Sequence, residues 1–337
     1  MFVLRHPARA GLGALCVIVA LGSLIIVHSN VAAKRAAVPA LTAVSAGRYG
    51  LSTVGLSYPF AAAIAKGFSD AAARAGATSV VLDAKGSIQK QANDIDDLLS
   101  QRMAGIAVMP LDSVVAQGWV ARAHSKGVPI ASVAAQIGDP KHRQITDVYP
   151  GLVALVTQNE VTAGEAAGTL AAGLLPPDRV AKIAIVEGAA GFPEVEQRAR
   201  GFVTALTHNF VRFRIVSSQP GNWTSEGGEA ACQNMLAAHP DIDLLFNEAD
   251  DMVVGCARAV RSAGSHARLI GVGGSKLAIA SIKAGAVDGT VCFKPEKLGA
   301  LAFQALRQPA IVPANRFVTE ATPAVTRSTI QQCSGQW

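Results

Sequence analysis

A short apolar run, Tyr49 to Leu56, breaks at Ser57-Tyr58-Pro59-Phe60 and passes directly into a helical pattern. A hydroxyl and two large aromatics thus stand in a loop that packing alone need not fill. Aromatic rings in a loop offer flat apolar faces and a π-face that attracts cations, so the chemistry they point to is binding. Trp223 occupies a comparable loop after Pro220-Gly221-Asn222, and Phe192-Pro193 repeats the pairing of Pro with Phe ahead of a later helix. Glu248, Asp250 and Asp251 form an acidic run before a helix, where one is expected as the N-cap and the others as candidates for a ligand contact. Catalysis is not visible. The seven His are dispersed, no His pair brackets a Glu at i, i+4, and no Cys/His cluster has zinc spacing. Gly271, Gly273 and Gly274 lack the third glycine and the distant acid of a dinucleotide loop. No cofactor or metal is expected, and the chain reads as a binder rather than an enzyme.

The elements that position these loops follow from periodicity. Ile64, Phe68, Ala71 and Ala75 recur three and four apart, which lays one apolar stripe on a helix. Gly76 stops it, and Ser79 to Leu82 reads as a strand, closing a βαβ unit. In open parallel sheets ligands bind at the carboxyl ends of the strands, which makes the 57–60 loop the lip of a cleft. A helix at 87–101, a strand at 105–110, a helix at 113–125 and a strand at 128–133 continue the alternation of a parallel, doubly wound sheet. After a longer loop at 134–152, a helix at 161–174 leads to a second half that restarts the order. Strands are expected at 182–187, 213–217, 243–246, 269–272 and 289–293. Helices are expected at 195–206, 224–238, 250–263, 275–284 and 295–306, with short extended runs in 316–330. Gly67-Phe68 and Gly201-Phe202 recur at matching places in the two halves. The fold class is therefore α/β: two similar doubly wound lobes in tandem whose strand-end clefts face each other, so that a ligand between them can be buried on both sides by hinge closure.

Length and charge narrow the function. A chain of 337 residues fits two domains of ordinary size. Its formal charge of +6 comes from scattered residues, with no Lys/Arg run interleaved with aromatics, so nucleic acid is not an expected partner. Arg5 and Arg9 precede an apolar run from Gly11 to Val27, and Val31-Ala32-Ala33 ends in small residues. Residues 1–33 thus read as an export signal cleaved after Ala33 or, uncleaved, as an anchor, followed by a polar tether at 34–48. A lipoprotein signal is excluded, because Cys16 lies inside the apolar run. The folded part is expected in the periplasm. Cys232, Cys256, Cys292 and Cys333 remain, and in an oxidising compartment four cysteines allow three disulfide pairings or stay as buried thiols. The expected pairing is Cys232–Cys256, between neighbouring helices, and Cys292–Cys333, tying down the tail.

The ordered segments SYPF, VVLDAKG, GIAVMP, GVPIASV, AHPDIDLLFNEADDMVVGCARAV and LIGVGG resemble the periplasmic sugar-binding proteins of ABC transporters, the ribose-binding-like type I class. The resemblance covers roughly 49–337. It implies two Rossmann-like lobes joined by a hinge of three crossovers, one from 49–157 and 292–318 and the other from 158–291 and 319–337, with the ligand in the cleft between them. It also implies a monomer that delivers a small ligand to a membrane permease powered by a cytoplasmic ATPase. The alternative is a sensory protein presenting its closed form to a membrane kinase or chemoreceptor. Carried over position by position, the family pocket departs from its sugar-binding pattern. Its first loop becomes Ser57, Tyr58 and Phe60. Its Asp-Arg pair becomes Ala134-Ala135, and its second-lobe Arg aligns with Glu196 within two residues, with Arg198 close by. Its stacking aromatic becomes Trp223 and its Asn becomes Ala249, beside Glu248. Its Asp becomes Gly273 and its hinge Gln becomes Phe293. Unpartnered hydroxyls cost about 1–3 kcal/mol each, so the expected ligand is sugar-like or less polar and aromatic, held by Tyr58, Phe60, Phe192, Trp223 and Phe293. With Glu196 or Glu248 the same rings also suit a cation.

Overall fold

The structure, a computed structural model, describes residues 47–337. The expected export signal, its cleavage point and residues 34–46 of the tether lie outside the described residues. The first strand, β1 (Arg48–Thr53), leads into α1 (Pro59–Arg74), followed by β2 (Thr78–Asp83), α2 (Ile88–Ser100), β3 (Gly105–Val108), α3 (Ala116–Ser125) and β4 (Ile130–Val133). A long loop then gives a two-residue strand, β5 (Leu155–Val156), and α4 (Glu160–Ala172). The second half runs β6 (Ala181–Glu187), α5 (Pro193–His208), β7 (Phe213–Pro220), α6 (Ser225–Ala238), β8 (Leu244–Asn247), α7 (Asp250–Ser262), β9 (Arg268–Gly273), α8 (Lys276–Ala284) and β10 (Gly289–Cys292). Helix α9 (Pro295–Arg307) and strands β11 (Phe317–Val318) and β12 (Ala324–Thr326) complete it.

Two six-stranded sheets result, with orders β2-β1-β3-β4-β5-β11 and β7-β6-β8-β9-β10-β12. All pairings are parallel except β10 with β12. The two orders are the same doubly wound pattern, each with one late strand added at the β5 or β10 edge. The chain passes between the sheets at 157–159, at 293–294 and at 319–323. Apolar cores cover both faces of each sheet: α1 and α9 against α2 and α3 in the first lobe, α4 and α5 against α6 to α8 in the second. The α/β class and the element order expected from periodicity are met. The strand β5 was not expected, because two residues carry no readable period. Helix α3 starts three residues late, since the Asp112 carboxylate accepts from the N–H groups of Val114 and Val115 and holds them in a turn.

The repeated Gly-Phe pair has a packing reason. A Cβ on Gly67 would lie 1.8 Å from the Glu296 carbonyl oxygen, and one on Gly299 would lie 2.0 Å from that of Ile64, so α1 and α9 cross backbone to backbone. Gly201 does the same for α4 and α5, 2.0 Å from the Val161 oxygen. The following Phe68 and Phe202 are fully buried against Phe303 and Phe246. Disulfides join Cys232 to Cys256, between α6 and α7, and Cys292 to Cys333, as expected.

Candidate functional site

The carboxyl ends of both sheets surround a cavity of about 100 Å³. Val54, Met109 and Ala134, each just past a strand of the first sheet, line one side. Ala249, Val272 and Phe293, at the ends of β8, β9 and β10, line the other. Six aromatic side chains wall it: Tyr58 and Phe60 from the first lobe, Phe192, Trp223 and Trp337 from the second, and Phe293 from the crossing at 293–294. Phe60 meets Trp337 edge-on at 5.4 Å and Phe293 at 6.3 Å, while Phe192 meets Trp223 at 5.9 Å. Local sequence sets these positions. Tyr58 and Phe192 are the cap residues of α1 and α5, each followed by a Pro at the first helical position, where its fixed φ suits the helix. Asn222 and Trp223 both have left-handed backbone, φ +53° and +62°. The turn lays the indole across Gly188, where a Cβ would lie 1.9 Å from the ring.

The floor is ionisable. Arg198, buried on α5, donates from Nε to Glu160 Oε2 at 2.6 Å and from Nη1 to the Glu248 carbonyl oxygen at 2.6 Å. Its guanidinium lies over the rings of Phe293 and Trp223, at 5.2 and 5.6 Å. Gln158 donates to Glu160 Oε1 at 2.6 Å, and its own Oε1 has no partner among the described residues. Glu194 lines the cavity with its Oε2 buried and likewise unpartnered. Burial, then the nearby Glu160 charge, push the Glu194 carboxyl up to about 7, against the opposing pull of Arg198. Asp250 accepts from the Thr290 hydroxyl and the Ser275 N–H, both at 2.7 Å, yet burial still lifts it to about 6. Burial also raises Asp251, helped by Glu226.

Five of the eight residues expected at the site converge there: Tyr58, Phe60, Phe192, Trp223 and Phe293. Three are placed elsewhere. Ser57 is exposed and outside the cavity lining. Glu196 is exposed on α5, because two residues along a helix rotate a side chain most of the way to the opposite face; Arg198 takes the inward position. Glu248 is fully buried behind the lining, where its carboxylate accepts from the Gly188 N–H at 2.8 Å and burial pushes it up to about 8. No member of the acidic run caps α7 through its side chain. The cap residue is Ala249, and the Asp250 carboxylate bridges to β10 and α8 instead. Beside the rings, Gln158, Glu194, Arg198, Asp250 and Asp251 also line the cavity. Glu194 and Gln158 carried no spacing signal, and Trp337 reaches the cleft only through long-range contacts. Its backbone oxygen accepts from Lys276 N–H at 2.9 Å, and its indole lies 3.0 Å from where a Cβ on Gly273 would stand. At the place of the expected Asp-Arg pair, Ala134 adopts left-handed φ of +68° and receives the Thr157 hydroxyl on its carbonyl at 2.6 Å.

Comparison with known proteins agrees with this architecture. A profile described as a periplasmic binding protein domain matches residues 49–310. The ribose import binding protein RbsB of Bacillus subtilis is 31% identical over 258 residues, 76% of this chain and 79% of that protein. The D-allose-binding periplasmic protein of Escherichia coli is 28% identical over 263 residues, 77% and 83% of the two chains. The solved Caulobacter myo-inositol binding protein, bound to myo-inositol, superposes with a TM-score of 0.77 at 26% identity, covering 86% of this chain and 97% of that one. No helix among the described residues is long and apolar enough to cross a membrane. A two-lobed fold with its cavity at the facing strand ends and a profile match across most of its length make this chain a member of the periplasmic binding protein family, in the type I branch that holds sugar-binding components of ABC transporters.

Proposed function

We propose that the protein captures a small sugar- or polyol-like ligand in the periplasm and hands it to an ABC permease driven by a cytoplasmic ATPase. One observation carries this reading: loops from the carboxyl ends of both sheets bring six aromatic side chains and the Gln158–Glu194–Arg198 set to a single cavity between the lobes. Rings stack on the apolar face of a sugar, while the polar floor pairs with its hydroxyls, so the ligand needs one face of each kind. The relatives named for ribose, allose and myo-inositol support that ligand class. The excess of rings over neutral hydrogen-bonding groups favours a ligand less hydroxylated than a common hexose.

The test is a thermal-shift and calorimetric screen of the purified protein against pentoses, hexoses, inositols and their deoxy, methylated and amino derivatives. A ligand at 100 times its Kd should stabilise the fold by about 2.7 kcal/mol. Trp223→Ala should weaken the best ligand at least tenfold, about 1.4 kcal/mol. If no compound of the screen stabilises the protein, or if Trp223→Ala binds as tightly, the reading is wrong.

A further inference from the structure

We propose that the ligand carries a protonated amine on its polyol frame, and that the ammonium group sits at Glu194. This rests on the reading of the cleft given above and names the ligand's charge. The first lobe contributes no charged side chain to the cavity lining, so all the charge there comes from the second. Among the described residues, that lining holds three carboxylates, Glu194, Asp250 and Asp251, and a single cation, Arg198. Glu160 and Glu248 stand directly behind. Arg198 places Nε on Glu160 and Nη1 on the Glu248 carbonyl, leaving its other N–H groups for ligand oxygens, and Asp250 has a donor on each oxygen. The buried acceptors left open are Glu194 Oε2 and Gln158 Oε1, both without a partner among the described residues. Gln158 is 2% exposed.

An ammonium group supplies three N–H donors, no acceptor and one positive charge, and it meets aromatic faces favourably. A neutral hydroxyl satisfies one acceptor but leaves the Glu194 charge uncompensated in a low-dielectric pocket. The raised proton affinity of Glu194 is consistent with this: facing Glu160 of α4 and Arg198 of α5, with Glu248 beyond, the site takes up a proton in the absence of another cation. Trp337 adds the complementary end. Its buried indole N–H has no acceptor among the described residues and suits a hydroxyl oxygen of the same ligand.

The experiment is calorimetric titration of the purified protein with matched pairs, aminodeoxy-inositol against myo-inositol and the hexosamines against their parent hexoses. The best amine is expected to bind at least tenfold more tightly than its hydroxyl parent. Because Glu194 must shed its proton first, amine affinity is expected to rise about tenfold from about pH 5.5 to about pH 7.5, with protons released to the buffer. Glu194→Gln should abolish both the amine preference and the pH slope, and a thermal melt of that variant reports that it is folded. If the neutral parents bind as well as the amines, or if affinity falls as pH rises, Glu194 serves as an uncharged donor and the inference is overturned while the cleft reading stands. If no member of either panel binds, both fail.

Discussion

Arg198 and Glu194 show how one turn of helix separates a satisfied charge from an unsatisfied one. Both residues stand on α5 and face the cleft, yet the guanidinium is buried in an ion pair with Glu160 while Glu194 Oε2 meets no donor within the described chain. Removing Arg198 would strand Glu160 as a buried charge, at a cost of about 3–5 kcal/mol. The acids behave differently. Glu194 at about 7, Glu248 at about 8 and Asp250 at about 6 hold protons more tightly folded than unfolded. Their contribution to stability is therefore complete below the unfolded carboxylate range and is lost as pH climbs through about 6 to 8. Calorimetric melting of ligand-free protein is expected to show a lower Tm at about pH 8 than at about pH 5.5, with the slope reduced in Glu194→Gln. A Tm that rises over the same interval would mean that these carboxyls are ionised in the folded state.

At the scale of elements, the helix pairs α1–α9 and α4–α5 are held at backbone contact by glycines. Gly299→Ala would drive a methyl into the Ile64 carbonyl, a rigid neighbour, so the expected loss is about 1–3 kcal/mol, read as a fall in Tm of several degrees. An unchanged Tm would show that the helices can slide apart freely. The segment after β12 is the other element that reaches the cleft. Cys292–Cys333, a hydrogen bond from Glu296 N–H to Gln336 Oε1 at 3.0 Å and the Lys276–Trp337 bond together fasten it to the mouths of α8 and α9. Cys333→Ser is expected to cost about 2–4 kcal/mol of stability by the loop-closure argument and to weaken ligand binding through loss of the Trp337 wall. Titration of the variant, alongside Trp337→Ala, measures the second effect; full affinity in both would remove the segment from the site.

Across the whole molecule, the two lobes have separate cores and share the cleft. Phe60 belongs to the packing of both, and Gln197 of the second lobe donates to Gln136 of the first at 2.7 Å. These contacts exist only while the lobes are together. Gln136→Ala should therefore favour the open form and weaken ligand binding several-fold, with ligand-induced compaction followed by small-angle scattering. Equal affinity and equal compaction in the variant would show that this bond does not report closure.

The amino-acid sequence by itself determined the alternation of strands and helices, the doubling of the lobes and the aromatics at the strand ends. Those features are local or periodic: apolar spacing and a Pro at a helix start act within a few residues of themselves. Only the tertiary structure decided which charges face the cleft. Glu196 and Arg198 differ by two positions and so by about 200° around the helix, which no alignment good to two residues resolves. Nor does local pattern bring Trp337 to Phe60, or Gln158 to Glu194, because those juxtapositions depend on how two sheets and three crossings close a single space.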